Sequence, residues 1–253
     1  MTTPVVIDAD ANTDDAVAVL LAAAHPALDL RGVIAATADE AHALAALVGP
    51  APVPIETGPG RLADLLRAAP APVTLVTTGP LTNLAAALAA DRSLTRAVAR
   101  LVVLGGAHRA AGVTAHAERN IWTDPAAAAT VLAAPFRDTW LVTADATASA
   151  ALTDADLARL RAAGAGAAAD LCAERLDRGA LVHDPLAVAA VIDPTLVVTL
   201  RAAVRVECAD PTTYGATRFA AEVDEKRGRT TVAVGADRQR YVDLLCTTLG
   251  KQH

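Results

Sequence analysis

Short runs of aliphatic and β-branched residues alternate with longer alanine- and leucine-rich stretches as far as Leu152. The short runs predict strands at Val5–Ile7, Arg31–Ala35, Val73–Thr77, Leu101–Leu104 and Thr139–Val142. The longer stretches predict helices near Asp14–Ala24, Glu40–Leu47, Leu81–Ala90 and Ala126–Leu132. Each predicted strand is almost entirely apolar, which is typical of a parallel sheet covered by helices on both faces. The alternation therefore predicts an α/β fold with a doubly wound, mostly parallel sheet.

The pattern changes after Leu152. The predicted helices there are Leu157–Leu176, which begins near Thr153 and includes the low-complexity run Ala163–Ala169, Pro185–Val191 and the amphipathic Asp237–Leu249. Two β-rich runs, Leu196–Val206 and Thr230–Val234, predict a small antiparallel C-terminal β element. Because no linker separates these parts, we expect residues 1–253 to form a single domain.

Composition and charge favour small-molecule chemistry. Hydrophobic residues make up 53% of the chain, enough for a sizeable core, and the net charge is −6. The most basic stretch, Lys226–Arg229, is short and is expected to be a solvated turn, so nothing in the chain predicts binding to nucleic acid.

Three cysteines, Cys172, Cys208 and Cys246, lie far apart, which argues against a disulfide framework. The first residues lack a basic segment followed by an apolar core, and the apolar stretches carry charges or helix breakers. We therefore expect neither a signal peptide nor a membrane span, and place the protein in the cytoplasm.

The most informative segment is the first strand and the helix after it. The apolar strand runs into Asp8-Ala9-Asp10, and Asp14-Asp15 opens the helix. Ligands of open α/β sheets bind at the carboxyl ends of strands, so four carboxylates are predicted to converge where a site is expected. Their repulsion would be relieved by protonation or by a hard cation, Ca²⁺ or Mg²⁺. The alternative gives each residue a separate role, with Asp14 and Asp15 at the helix end and Asp8 and Asp10 as exposed turn residues. It explains Asp14 or Asp15 well but explains Asp8 and Asp10 badly, because an apolar strand leads into them.

Two other metal-dependent classes fit this segment less well. An EF-hand is excluded by register, because a loop beginning at Asp10 would place Asp15 where glycine is required and Leu21 where glutamate is required. A phosphatase with an aspartyl nucleophile also begins with a strand followed by Asp-x-Asp. That chemistry favours a lysine near the phosphate, and the two lysines, Lys226 and Lys251, both lie in the C-terminal region.

Four blocks in order resemble the inosine-uridine-preferring nucleoside hydrolase family. They are the Asp8–Ala16 block, Thr78-Gly79-Pro80-Leu81-Thr82-Asn83, Ala117-Glu118-Arg119-Asn120-Ile121 before Asp124-Pro125, and His183-Asp184-Pro185-Leu186-Ala187-Val188-Ala189. Together they span nearly the whole chain. The resemblance implies a hydrolase that cleaves the N-glycosidic bond of a ribonucleoside to give ribose and free base, and it suggests a homodimer or homotetramer.

The resemblance also assigns roles to individual residues. It implies one Ca²⁺ bound by Asp10, Asp15, Asp184 and the backbone carbonyl of Thr78. It implies that Asp10 accepts a proton from the attacking water, whose pKa the cation lowers, and that His183 protonates or polarises the leaving base. The residues implied to bind the ribose are Asp14, Asp39, Glu118 and Asn120.

The chain departs from the family pattern at several positions. The usual Pro-Gly of the first loop is Ala11-Asn12, Asp39 replaces an asparagine, Gly112 replaces a second substrate-binding asparagine, and Arg119 replaces a phenylalanine. A His-Gly-x-x-Gly-Leu loop that normally helps cover the base is missing, because Gly58–Arg61 leads through one helical stretch to Val73. The metal and ribose parts of the site therefore look retained, whereas the part that contacts the base looks altered.

These departures leave three hypotheses open. The first is an active N-ribosyl hydrolase for an unusual or modified nucleoside. The second is a non-catalytic ribonucleoside-binding protein on the same scaffold, which the changes at Asp39 and Gly112 favour. The third, less favoured, is a metal-dependent phosphatase.

Overall fold

The computed structural model of the protein describes residues 2–49, 53–220 and 230–250. Its strands are β1 (Thr3–Ala9), β2 (Leu28–Ala35), β3 (Ile55–Thr57), β4 (Val73–Thr77), β5 (Val98–Leu104), β6 (Thr139–Val142), β7 (Val197–Val206), β8 (Thr217–Ala220) and β9 (Thr230–Ala236). Its first six helices are α1 (Thr13–Ala24), α2 (Ala38–Val48), α3 (Gly58–Ala68), α4 (Thr82–Ala90), α5 (Arg119–Thr123) and α6 (Pro125–Leu132). The remaining helices are α7 (Ala144–Ser149), α8 (Asp154–Ala162), α9 (Gly166–Asp177), α10 (Asp184–Ile192) and α11 (Arg238–Leu249).

The nine strands of the described residues form one sheet, in the order β3-β2-β1-β4-β5-β6-β9-β7-β8. The strands from β3 to β9 in that order pair in parallel, so the predicted doubly wound fold is confirmed. The chain leaves β1 towards β2 on one side and later returns to add β4 on the other side. This change of direction separates the loops that follow β1 and β4 and opens a crevice at their carboxyl ends.

The C-terminal β element is antiparallel, as predicted, but it is continuous with the main sheet. Strand β7 pairs antiparallel with both β8 and β9, while β9 pairs in parallel with β6. The parallel pairing carries the sheet from its central strands into the C-terminal region.

Apolar side chains pack on both faces of the sheet, as the near-continuous hydrophobic strands predict. In β1, Val5 and Ile7 belong to the cluster beneath α1, α9 and α10, whereas Val6 belongs to the cluster beneath α3, α4 and α6. Successive side chains of a strand point to opposite faces, so a strand buried on both faces needs apolar residues at every position. This packing fixes the ends of β1 and β4, from which the polar residues of the crevice extend.

The predicted helix Leu157–Leu176 is wrong as one element, because it is divided into α8 and α9 near Gly164. Gly164 has a φ of +92°, the N–H of Gly164 donates to the Arg161 carbonyl, and the N–H of Ala165 donates to the Leu160 carbonyl. Such a left-handed glycine with these two hydrogen bonds ends a helix. Because the segments on both sides of Gly164 are rich in alanine, the hydrophobic pattern of the sequence did not show this break.

Two short strands were not predicted from the sequence. Strands β3 and β8 have three and four residues, and a charged residue interrupts the apolar positions of each. The predicted turn at Lys226–Arg229 lies outside the described residues. Among the helices that the structure describes, none has the length and apolarity needed to cross a bilayer.

The two-sided packing predicts how single truncations affect stability. We expect Leu75→Ala, in the fully buried β4, to lower the free energy of unfolding by about 2–5 kcal/mol, because it leaves a cavity between sheet and helix. Val198→Ala, at a β7 side chain that is 62% exposed, should change it by less than about 0.5 kcal/mol. Urea unfolding followed by circular dichroism measures both values; equal losses would contradict the assigned packing.

Candidate active site

A cavity of about 480 Å³ lies at the carboxyl ends of β1 and β4. Its wall is formed by the loop after β1, the turn after β4, the segment between β5 and α5, the β6–α7 segment, and the segment that joins α9 to α10. The wall residues that carry polar or charged side chains are Asp10, Asn12, Thr78, Glu118, Arg119, Asn120, Thr147, Arg175, His183 and Asp184. Six of the predicted site residues thus line one cavity, namely Asp10, Thr78, Glu118, Asn120, His183 and Asp184.

Three carboxylates meet at this cavity. One oxygen each from Asp10, Asp15 and Asp184 lies within 4.8 Å of the other two. Asp10 follows β1, Asp15 is in the first turn of α1, and Asp184 is the first residue of α10. Asp15 and Asp184 are buried, whereas Asp10 is partly exposed to the cavity.

Hydrogen bonds hold this cluster in place. The Asp15 carboxylate accepts the Thr78 hydroxyl at 2.5 Å and the Asn12 N–H at 2.8 Å. The Asn12 side-chain amide donates to Asp10 at 2.6 Å. A Cβ on Gly79 would lie 2.7 Å from the Asp10 Cβ, so only glycine allows the turn after β4 to approach the loop after β1 this closely.

The electrostatics of the cluster favour a bound cation. Burial, followed by the charges of neighbouring carboxylates, raises the pKa of Asp15 and of Asp184 well above the usual range. Three carboxylate oxygens at this separation suit a hard cation, since Ca²⁺ binds oxygen at about 2.3–2.6 Å and opposite ligands then lie roughly 5 Å apart. The residues therefore fit a divalent metal bound by oxygen atoms.

Thr78 lies beside the carboxylate cluster, where its hydroxyl contacts Asp15. Its N–H donates to the Asp8 carbonyl at 2.9 Å, which fixes the turn at the end of β4. Its own carbonyl accepts a hydrogen bond from the Asn120 side-chain amide at 2.7 Å. A carbonyl oxygen has two lone pairs, so this contact leaves one available for a cation.

Asp8 is a buried neighbour of the cluster to which the sequence assigned no separate role. Its carboxylate accepts a hydrogen bond from the Asn83 side-chain amide at 2.9 Å, and its other oxygen is buried without a hydrogen-bond partner. Burial raises the pKa of Asp8 to about 7, although the Asn83 hydrogen bond lowers it. The expected alternative of an exposed turn residue is therefore wrong for Asp8.

Asp14 is buried behind the cavity wall rather than facing the cavity. One of its oxygens accepts the His183 N–H at 3.1 Å, and the other lies 3.2 Å from the Arg175 Nε without hydrogen-bond geometry. In this arrangement Asp14 ties α1 to the segment before α10. Contact with a ribose hydroxyl stays a prediction.

Glu118 and Asn120 line the cavity but also hold the backbone around it. The Glu118 carboxylate accepts the N–H groups of Gly106, Asn120 and Ile121 at 3.0–3.2 Å. Burial raises the pKa of Glu118, and these three hydrogen bonds oppose the rise. The Asn120 amide donates to the Thr78 and Leu104 carbonyls, so its oxygen stays available as an acceptor.

His183 also lines the cavity, and its Nδ1 is 2.7 Å from the Thr147 hydroxyl. Burial lowers the pKa of His183; Asp14 opposes this shift, and the charges of Arg175 and Arg119 add to it. The Thr147 hydroxyl also donates to the Ala144 carbonyl at 3.1 Å. Thr147 therefore fixes one ring nitrogen and leaves Nε2 as the other polar atom of the ring.

The structure does not bring Asp39 to this group. Asp39 is exposed in the first turn of α2 and is not among the described residues of the cavity wall. Gly112 does line the cavity, but a Cβ there would overlap the Ala117 carbonyl oxygen. A side chain at position 112 therefore needs a different path of this loop.

Three residues of the site had no clear signal in the sequence. Thr147 and Arg175 lie in the alanine-rich helices α7 and α9, and their contacts with His183 and Asp14 depend on the tertiary fold. Asp145 accepts the N–H groups of His108, Arg109 and Ala110 at 2.7–3.0 Å and so anchors the loop beside the cavity. An aspartate in the first turn of α7 resembles an ordinary helix-end residue.

Ala11, in the first loop, has a φ of +62°, a left-handed conformation. Proline fixes φ near −65°, so the proline that usually precedes glycine in the resembling family could not adopt this backbone. The absence of proline at this position therefore accords with the left-handed backbone of the loop.

Comparison with known proteins gives consistent results. A family model described as inosine-uridine preferring nucleoside hydrolase matches residues 36–243. The pyrimidine-specific ribonucleoside hydrolase RihA of Photobacterium profundum is 30% identical, covering 98% of this chain and 99% of that protein. The RihA of a Shewanella species is 31% identical over 98% of this chain and 96% of its own length.

Both RihA alignments span 311 positions, whereas this chain has 253 residues. The relatives therefore carry at least 58 positions (311 less 253) that this chain lacks. This difference accords with the direct passage from β3 through α3 to β4, where the sequence indicated a missing loop.

Solved structures share the fold. A plant nucleoside hydrolase, PpNRh1, has a TM-score of 0.87 at 24% identity and covers 99% of this chain and 100% of its own. A purine-preferring ribonucleoside hydrolase from Gardnerella vaginalis has a TM-score of 0.85 at 24% identity, with 98% of each chain covered. Together with the family match over most of its length, these findings show that the chain belongs to the inosine-uridine preferring nucleoside hydrolase family.

Proposed function

We propose that the protein hydrolyses the N-glycosidic bond of a ribonucleoside with the help of a Ca²⁺ ion at the floor of the cavity. The observation that supports this most directly is the convergence of Asp10, Asp15 and Asp184 within 4.8 Å. In the reaction, water adds to C1′ of the ribose, the bond from C1′ to the base nitrogen breaks, and the base leaves with the bonding electron pair. One water proton is lost to a base, and the leaving nitrogen gains a proton.

The cation would be held by Asp10, Asp15, Asp184 and the Thr78 carbonyl. When bound, Ca²⁺ supplies positive charge that neutralises the carboxylates, attracts the ribose hydroxyls and makes a nearby water more acidic. The Thr78 hydroxyl and the Asn12 N–H hold the Asp15 carboxylate in position for this role.

Asp10 is the proton acceptor in this proposal. It lines the cavity and is more exposed than Asp15 or Asp184, so a water in the cavity can reach it. The Asn12 side chain donates to one of its oxygens and thereby orients the carboxylate. A carboxylate beside C1′ also favours the positive charge that develops on the ribose as the bond breaks.

The ribose would be held from the side of α5. Asn120 offers its side-chain oxygen to a hydroxyl, since both of its N–H donors are bonded to backbone carbonyls. The Glu118 carboxylate lines the same wall, and three backbone N–H groups keep it in place. Asp14 supports the site indirectly, because its carboxylate accepts the N–H of His183. No contact in the described residues adds support for direct binding of the ribose by Asp14 or Asp39.

His183 would face the leaving base. The Thr147 hydroxyl holds Nδ1, so Nε2 is the atom that can exchange a hydrogen bond or a proton with the base nitrogen. Thr147 is thus a positioning residue for His183.

The proposal does not assign a class of base, because the named relatives include both pyrimidine-specific and purine-preferring enzymes.

We further propose that residues 1–253 act as one domain in a homodimer or homotetramer. A cytoplasmic location accords with the unpaired state of Cys172, Cys208 and Cys246.

Release of free ribose tests the proposed reaction directly. Calcium-loaded protein is incubated with uridine, cytidine, inosine, adenosine and modified ribonucleosides, and reducing sugar is measured. We expect turnover of at least one, and a fall in kcat/KM of about 10²–10⁴-fold in Asp10→Asn, because an amide cannot accept the water proton. Asp170→Asn, an exposed carboxylate on α9, is the matched control. Absence of ribose from every nucleoside would refute the hydrolase.

Removal of one ligand tests the cation site. At about 100-fold above the Kd, Ca²⁺ should raise the Tm of the unmodified protein by roughly 5–10 °C. Asp184→Asn should lose most of this rise, because one of three converging carboxylates becomes neutral, whereas Asp170→Asn should retain it. Elemental analysis of the dialysed proteins gives an independent measurement; equal calcium content in all three would exclude the assigned ligands.

Replacement of Thr147 tests the positioning of His183. We expect Thr147→Val to lower kcat about fivefold to tenfold, because a hydrogen bond to the imidazole is lost while the shape is kept. Thr147→Ser should restore kcat, and calcium content should be unchanged in both variants. A valine variant with full kcat would remove Thr147 from the mechanism.

A further inference from the structure

The wall of the cavity carries two arginines besides the carboxylates. Arg119 begins α5 and follows Glu118, and Arg175 lies near the end of α9. They lie on different segments of the wall, and neither has a role in holding the cation or the attacking water. Two guanidinium groups in a cavity proposed to take a neutral nucleoside call for an explanation.

Arg175 has only part of its guanidinium occupied. Its Nε donates to the Leu181 carbonyl at 3.3 Å and lies 3.2 Å from Asp14. Within the described residues, its two terminal nitrogens make no hydrogen bond, and neither is among the fully buried atoms without a partner. The side chain is 20% exposed and lines the cavity, so the terminal N–H groups are available to a ligand there.

Arg119 is exposed at the same cavity. Among residues 2–49, 53–220 and 230–250, its guanidinium makes neither a hydrogen bond nor an ion pair. The adjacent Glu118 does not pair with it, because the Glu118 oxygens accept backbone N–H groups. The whole guanidinium of Arg119 is therefore available to a ligand.

The other wall residues do not explain these cations. Asp10 and Asp184 belong to the cation site, and no Phe, Tyr or Trp lies among the described residues of the wall. The wall therefore offers a base no aromatic ring on which to stack, while it offers several unused N–H donors. Arginine presents these donors as a planar fork that matches the paired oxygens of phosphate and carboxylate groups.

We propose that the preferred substrate is a ribonucleoside with an anionic oxygen group, which Arg119 and Arg175 bind. The group is either a phosphate on the 5′ carbon or a carboxylate on the base; both present paired oxygens to the same guanidinium groups. This inference rests on the proposed function, because the ribose must lie at the carboxylate cluster for the arginines to reach the rest of the substrate.

The experiment compares uridine, uridine 5′-monophosphate and orotidine, which carries a carboxylate on its base, as substrates of the calcium-loaded protein. At low ionic strength we expect kcat/KM for one of the two anionic probes to exceed that for uridine by about tenfold or more. The advantage should shrink with added salt. The probe that shows it identifies the source of the charge.

Variants assign the effect to the arginines. Arg119→Gln and Arg175→Gln should each lower the preference for the anionic probe by about tenfold, and Arg119→Gln should leave kcat/KM for uridine within about twofold. Arg119 is exposed, so its replacement keeps the test valid even if Arg175→Gln disturbs Asp14. Arg178→Gln is the control, since Arg178 lies next to the end of α9, pairs with Glu174 and does not line the cavity.

Several outcomes would overturn the inference without affecting the proposed function. One is turnover of uridine with no preference for either anionic probe; another is an equal loss for all three probes in Arg119→Gln, which would assign the guanidinium to the base ring. Calorimetric binding of the three probes, and of ribose 5-phosphate against ribose, provides a readout that does not require turnover. Preferential binding of an anionic probe without ribose release would support the inference and contradict the hydrolase.

Discussion

The main physical constraint on the site is the repulsion among the carboxylates that the fold brings together. Asp10, Asp15 and Asp184 come from three separate segments, and the packing of α1 and α10 against the sheet leaves them little freedom to move apart. Burial and mutual charge oppose ionisation of Asp15 and Asp184, so the ionised cluster would be stabilised by a bound cation. The surrounding hydrogen bonds, from Asn12, Thr78 and Asn83, orient carboxylates but cannot neutralise them.

The open sheet explains how such distant residues meet. Polar residues at the ends of β1 and β4 extend into the crevice that the change of strand order creates, and apolar residues fill the strands behind them. Helices α5 and α10 then bring Asn120 and Asp184 to the same place through their first turns. The wall of the cavity thus carries carboxylates, a histidine and two arginines together, so a bound molecule meets charges of both signs.

Much of this arrangement could be predicted from the sequence. Continuous apolar runs predicted β4 and β6 to the residue, and the aspartates after β1 predicted the carboxylate cluster. The break at Gly164 and the contacts of Thr147 and Arg175 could not be predicted, because periodicity is insensitive to one residue's backbone conformation and to side-chain contacts between helices. Glu118 shows another limit: the same carboxylate caps α5 and lines the cavity, and its position in the sequence cannot separate the two roles.

The left-handed conformation of Ala11 limits which residues can replace it. An alanine at this φ costs on the order of 1–2 kcal/mol, and a proline there would require the backbone to rotate by more than about 100°. Since Asp10 and Asn12 flank this residue and share a hydrogen bond, such a rotation would move a carboxylate of the cluster. A proline at position 11 is therefore compatible only with a different path of the whole loop, so it could be introduced only together with substitutions at neighbouring positions.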